Sequence, residues 1–315
     1  MSDYKVVHGT KVQNIAGDPP APFTGQVWYN TTAGTLKYQA VLAAGSWATT
    51  NALNSGREAS AGGGTSTAAL VFGGNPNGAY TETWNGTNWT EVNDLNEGRY
   101  KLMAAGQTNS AMLGFGGDPP DAPVTVNTEI WNGTNWTEVN NLNTGKLSGA
   151  GSGTNTAALG FGGYTPGAGA STDTEVWNGT NWTEVNNLNN ARKELMGAGN
   201  TNTAAIAFGG NANNELWNGT NWTEVNNLNN GRAEGGGSGS STAALAYGGD
   251  SPNNATESWN GTNWAAVANL NAGRKLGAGA GTANTTALYF GGENPPGVLS
   301  EQYTGSSATR TVGSE

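Results

Sequence analysis

Residues 81–96 read TETWNGTNWTEVNDLN, and nearly the same words return four more times. They appear as TEIWNGTNWTEVNNLN from Thr128, TEVWNGTNWTEVNNLN from Thr174, ELWNGTNWTEVNNLN from Glu215 and TESWNGTNWAAVANLN from Thr256. Each is followed by a basic residue after a small one: Arg99, Lys146, Arg192, Arg232 and Arg274, with Arg57 ahead of the first unit. From one basic residue to the next the spacing is 42, 47, 46, 40 and 42 residues. A period of this size marks a repeat architecture in which each unit is one supersecondary element.

Between the basic residue and the next Trp phrase lies a run of small residues. It leads into TAAL or a variant, then an aromatic and Gly-Gly, as in TAALVFGG from Thr67 and TAALGFGG from Thr156. Each unit therefore reads as four short strands, here called A to D. Strand A is Gly/Ala-rich, for example Leu147 to Gly151, and strand B is the apolar segment before Gly-Gly. Strand C ends on the first Trp and strand D begins on the second. Asn-Gly inside WNGTNW is a hairpin signal, because both residues tolerate positive φ. A two-residue loop sets Trp84 opposite Thr87, and a four-residue loop sets it opposite Trp89. In both cases the paired Trp lie on one face of the sheet. The pairs Trp84/Trp89, Trp131/Trp136, Trp177/Trp182, Trp217/Trp222 and Trp259/Trp264 are thus candidate structural residues.

Four strands per unit make the blade of a β-propeller. Gly/Ala strands suit the crowded axis, and Trp suits the wider perimeter. Six A–B pairs are present, but the sixth C–D hairpin is degenerate: in LSEQYTGSSATRTV, from Leu299, Tyr303 and Ala308 stand where Trp is expected. Residues 35–50 hold Tyr38 and Trp47, an unmatched hairpin. The expectation is an all-β, six-bladed propeller with four-stranded antiparallel blades, its ring closed by N-terminal strands. Seven blades, one built from both termini, is the alternative. Residues 1–24, with Pro19, Pro20 and Pro22, read as an extended arm. Residues 25–312 read as the propeller, with 25–50 closing the ring and repeats from 57. Residues 313–315 form a tail.

The search for chemistry returns little. The single histidine, His8, has no Cys and no second His to join it in a metal or acid–base set. Glu82, Glu91, Glu129, Glu138, Glu175 and Glu184 recur at fixed places, as structural positions do. Arg57, Arg99, Arg192, Arg232 and Arg274 are read as bonding carbonyls or carboxylates of neighbouring blades, rather than forming an anion-binding ring. The Asn-Gly-Thr sequons are explained by the turn. The Gly-rich runs lack the Lys-Ser/Thr and helix of a phosphate loop. Asp118 and Asp121 are too few for a calcium loop. No enzyme activity, cofactor or metal is expected. The net charge of −10 argues against nucleic acid, and no apolar run is long enough for a membrane span.

Loops differ where scaffold does not. Between Gly-Gly and the strand-C aromatic there are 9, 13, 13, 6, 9 and 10 residues, with unrelated sequences. In a propeller these B–C loops open on the same face as the D–A connections, and divergent loops on a duplicated scaffold point to a binding face. The candidate binding residues there are Asn75, Asn77, Tyr80, Asp118, Asp121, Tyr164, Thr165, Asn211, Asn213, Asp250, Asn253 and Asn294.

The order of Arg, small residues, apolar-aromatic-Gly-Gly and Trp resembles the kelch repeat from about Arg57 to Tyr303. The resemblance departs in having Trp where kelch units usually have Tyr, and in the near-identity of its units. It implies a binding scaffold. GQVWYNTTAGTLKY from Gly25, followed by Gly45-Ser46-Trp47, resembles a motif of bacteriophage tail-fibre and other virion proteins. That second resemblance implies a virion structural protein of a tail fibre, tail tip or decoration. It would be made in the host cytoplasm and be extracellular after release, and no apolar signal-peptide core stands at the N-terminus. The arm would hold other virion proteins, and the propeller a host surface glycan or protein. Homo-oligomers are compatible with this reading, whereas nucleic acid and membrane insertion are not part of it. The alternative is a cellular kelch-type protein-binding scaffold.

Overall fold

The computed structural model describes residues 12–19, 26–41, 45–76, 78–120, 123–210, 213–250, 254–293, 297–305 and 307–311. The described residues are strands, turns and connections, with no helix among them. Two compact units are present: residues 46–305, and residues up to 45 together with those from 306 onward.

The larger unit holds six four-stranded antiparallel sheets among its described residues. In the first sheet the strands are Ala61–Thr65, Ala68–Phe72, Thr81–Trp84 and Trp89–Val92. The following four sheets keep the order A-B-C-D and begin at Met103, Ala150, Leu195 and Gly236. The sixth sheet has Lys275–Ala283, Thr286–Glu293 and Ser300–Thr304, and takes its fourth strand, Ser46–Thr49, from far upstream. There Trp47 pairs with Tyr303 as Trp89 pairs with Trp84. The fold is all-β and propeller-like.

Details of the repeat follow from local chemistry. Trp84 faces Trp89, so the loop has four residues rather than two. The Asn85 Oδ1 atom accepts from the Thr87 and Asn88 amides at 2.9 and 2.8 Å, and Gly86 takes φ 92°. This side chain closes the turn where a primed two-residue turn would use backbone alone. Strand A of the third unit runs Ala150–Thr154, three residues later than Leu147–Gly151. Leu147 instead makes an isolated bridge to Tyr164. The need for small residues in strand A is direct: a Cβ on Gly151 would lie 2.1 Å from the Ala104 carbonyl oxygen of the preceding sheet.

Between successive sheets lies an apolar core. Phe72 of the first sheet packs on Trp136 of the second, with centroids 4.7 Å apart. Phe115/Trp182, Phe161/Trp222 and Phe208/Trp264 repeat the contact. Tyr247/Trp47 and Phe290/Trp89 complete the set, the latter joining the sixth sheet to the first. Each buried aromatic contributes about 1.5–3 kcal/mol by area alone. The Nε1 atoms of Trp136, Trp182, Trp222 and Trp47 donate across the seam to Thr81, Thr128, Thr174 and Thr256. Where Asn214 and Ser300 replace that Thr, Nε1 of Trp264 and of Trp89 is buried without a hydrogen-bond partner.

The basic residues are buried in ion pairs with strand-C carboxylates. Arg57, Arg99, Arg192 and Arg232 reach Glu82, Glu129, Glu215 and Glu257 at 2.6–2.8 Å, and Arg274 reaches Glu301. Each Glu also receives an amide from the incoming connection, as Glu82 does from Asn54 at 2.8 Å. Burial pulls the guanidinium groups of Arg57, Arg99, Arg192 and Arg232 below their ordinary value, and the facing Glu opposes the shift. The bonds go to carboxylates and carbonyls as expected, but each Glu stands in the sheet that its own Arg leads into. With every guanidinium spent this way, the basic residues present no free ring of charge.

In the smaller unit, strands Gln13–Ile15, Val27–Asn30, Thr35–Val41 and Ser307–Thr311 form one sheet in that order. Asp18 ties it together: it accepts from Trp28 Nε1 at 3.1 Å and Asn30 Nδ2 at 2.8 Å, and pairs with Lys37 at 3.0 Å. The expected boundaries are corrected here. The stretch 1–24 contains a paired strand where an extended arm was expected. Of the stretch 25–50, only residues 46–49 join the repeat sheets. The second half of the C-terminal hairpin pairs with Thr35–Val41 rather than with its own first half. Register explains this: Trp47 supplies the ring that Ala308 lacks.

Candidate binding face at the axis

At the start of every strand A, two residues after the basic one, the backbone takes positive φ. The six residues are Ala59, Lys101, Ser148, Glu194, Glu234 and Leu276, with φ between 53° and 60°. None is Gly or Asn, in a chain with 51 glycines. Such a conformation costs an L-residue roughly 1–2 kcal/mol. Cβ-bearing residues kept at strained positions are an observation from which a functional site is inferred.

These six residues are bonded head to tail. The amide of Lys101 donates to the Ala59 carbonyl, Ser148 to Lys101, Glu194 to Ser148, Glu234 to Glu194, and Leu276 to Glu234. Ala59 donates to Leu276, so the bonds form a cycle, each 2.7–3.0 Å long. A cavity of about 100 Å³ opens over the cycle. Deeper along the strands A is a second cavity of about 60 Å³, lined by small residues of all six sheets. At the A–B turn end, Gln107 donates to the Gly153 carbonyl of the adjacent sheet, and Asn200 to the Thr282 carbonyl two sheets on.

Around the cycle stand two further sets of residues. The residue after each basic one pairs with the residue after each Gly-Gly: Glu58 with Asn75, Tyr100 with Asp118, Leu147 with Tyr164. In the fifth unit Asp250 Oδ1 accepts the Ala233 amide at 2.7 Å, and in the sixth Lys275 pairs with Glu293 at 3.2 Å. Positions flanking these sets are Arg/Lys and Gly-Gly in every unit; the set after the basic residue varies from unit to unit, whereas the set after Gly-Gly is Asn, Asp or Glu in every unit but the third, which has Tyr164.

A further recess, about 230 Å³, spans the second to fourth units and is lined by Lys101, Asp118, Leu147, Ser148, Tyr164, Lys193 and Glu194. Lys193 Nζ lies 5.5 Å from the Tyr164 ring centroid and 3.2 Å from Glu194. Asp118 beside the Tyr100 hydroxyl pushes that phenol up from its ordinary value. Opposite, Lys275 is held well above its ordinary value by Glu234 and Glu293.

Of the sequence-predicted residues, Asp118 and Tyr164 meet in this recess, and Asn75 and Asp250 occupy the matching place in other units. Thr165 is drawn aside: it pairs with Gly169 in a two-stranded ribbon inside its own loop. Tyr80 is exposed, and its carbonyl, like that of Asn213, is used to bind an Arg. Asn77, Asp121, Asn211, Asn253 and Asn294 lie outside the described residues. The sequence reading missed Lys101, Ser148, Lys193, Glu194 and Glu234. Their signal was a variable column just after the recurring Arg or Lys.

The sheets and the axial face define a propeller-like protein. No protein-family model and no curated protein matches the chain. Among solved structures it is similar to one described as "Structure of YjhT", with a TM-score of 0.66 and 13% identity, covering 84% of this chain and 99% of that one. At that identity the likeness concerns the fold alone.

Proposed function

We propose that the chain is a closed, six-bladed, kelch-like β-propeller that acts by binding and catalyses nothing. Six cores, one between every pair of consecutive sheets including the last and first, support six blades over seven. The fourth strand Ser46–Thr49 and the hydrogen-bonded cycle at the axis support closure.

The observation that carries the binding reading is that side-chain diversity between near-identical units concentrates on one face, at positions where the backbone is strained. Drift fills a strained position with Gly or Asn. A recognition surface keeps side chains there.

The partner is assigned from the resemblance of residues 25–47 to virion proteins. On this reading the chain belongs to a bacteriophage tail fibre, tail tip or decoration. The N-terminal segment holds it among other virion proteins, and the axial face meets a host surface glycan or protein or a virion neighbour. Mass spectrometry and localisation on purified particles test this, and a chain never found in particles removes the virion reading. Adsorption measured after charge reversal at Lys101 and Glu234 tests the face independently, and unchanged adsorption removes it.

A further inference from the structure

We infer that the recess between the second, third and fourth units takes one neutral sugar ring of a surface glycan. The inference rests on the binding reading above and names the ligand of that same face.

Size is the first constraint. At about 230 Å³ the recess lies below the ~300 Å³ lower end for drug-sized ligands, so it admits one ring and not a chain of them.

Chemistry is the second. Tyr164 supplies a half-buried ring, the surface on which the C–H face of a sugar stacks. Around it stand donors and acceptors of both signs: Lys101 and Lys193, Asp118 and Glu194, and the hydroxyl of Ser148. An anion entering here meets two carboxylates, and a cation meets two ammonium groups. A ring bearing several hydroxyls satisfies both, because each hydroxyl donates once and accepts twice. Lys101, in the lining of the recess, makes no ion pair among the described residues, so its donors are available to an external acceptor.

Position is the third. The matching place in the fifth unit has Ala233 and Asp250, and in the sixth Lys275 is held by Glu234 and Glu293. Only the recess at Tyr164 combines an aromatic ring with an unpaired ammonium among the described residues.

The experiment uses the full chain on an array of neutral, acidic and basic glycans, followed by calorimetry with the free terminal sugar of any glycan bound. The expected result is binding to a neutral terminal residue. Tyr164→Ala should weaken it at least tenfold, and Lys101→Met or Asp118→Asn severalfold. Glu138→Gln, on the exposed outer edge, should leave it unchanged. Each variant is checked for an unaltered melting midpoint, and Tyr164→Phe, which keeps the ring, should retain binding if Tyr164→Ala fails to fold. Binding only to charged glycans, or binding indifferent to both Tyr164 variants, overturns the inference. If no glycan binds but particles adsorb through the axial face, the sugar assignment fails and the binding reading stands.

Discussion

Lys146 is the one basic residue of the repeat that is not Arg, and it provides an internal experiment. Its Nζ stands 3.2 Å from Glu175, fully buried, yet outside hydrogen-bonding geometry. The arginines do more at this place. Arg57, Arg99 and Arg232 each add an Nη1 bond of 2.6 Å to the carbonyl two residues before the Glu. In the third unit that carbonyl belongs to Asp173, which accepts only the Gly162 amide at 3.0 Å and has a lone pair to spare. Lys146→Arg should therefore gain one charge-assisted bond and improve the contact to Glu175. A hydrogen bond to a charged group is worth about 1.5–3 kcal/mol. Ordering of the longer side chain offsets part, leaving about 1–2 kcal/mol. For a unit of this size that is about 2–6 °C in melting midpoint. The converse, Arg99→Lys, should lose a similar amount. Scanning calorimetry and urea titration of both variants read the effect. An unchanged midpoint in the two variants together refutes the claim that the carbonyl bonds hold the connections.

Four further expectations follow from the seams and the axis. Ser300→Thr and Asn214→Thr should each raise stability by about 0.5–1.5 kcal/mol by giving Trp89 and Trp264 the acceptor that the other seams have, read by denaturant titration. Lys101→Gly should raise stability by roughly 1 kcal/mol by relieving positive φ while weakening adsorption; a destabilised variant with full adsorption would contradict the site. Gly151→Ala should destabilise by several kcal/mol, because its Cβ meets backbone that cannot yield, and the protein should melt much earlier or fail to fold. Burial pushes the Tyr289 phenol up to about 12 and that of Tyr247 higher still. In the unfolded chain these groups ionise near 10. The stability they contribute is complete below pH 10 and is lost as pH rises toward 12, by up to ~1.4 kcal/mol per pH unit for each group. Melting midpoints across that window should fall, and fall less steeply in Tyr289→Phe.

The repeat, its four strands and the shared face of its tryptophans could be read from sequence, because Asn-Gly turns and a fixed Trp spacing leave few alternatives, whereas the choice between a two- and a four-residue loop could not. The partners of the Arg residues were read in kind, though the carboxylate proved to lie one strand-crossing ahead. The domain boundary could not be read. Residues 27–41 have the same strand-forming content as residues 46–49, and only the pairing of Thr35–Val41 with Ser307–Thr311 separates them. The binding face was read halfway. Asp118 and Tyr164 stood out as loop residues after Gly-Gly. The inner set did not, because positive φ at Ala59, Lys101, Ser148, Glu194, Glu234 and Leu276 comes from bonds between units and is not marked by the Gly or Asn that would signal it in a sequence.

That inner set also counts. Units so alike are easily gained or lost when their coding sequence recombines, and an open array would simply grow longer or shorter. A head-to-tail cycle of six bonds at nearly constant φ has no end at which to add a seventh member. Adding one would mean widening every angle and stretching every seam at once. On the closed six-bladed reading proposed above, the copy number is therefore held by geometry even where the sequence invites it to change. The bond between residues 59 and 276 spans almost the whole repeat region, so it closes the longest loop of the cycle and costs the most chain entropy.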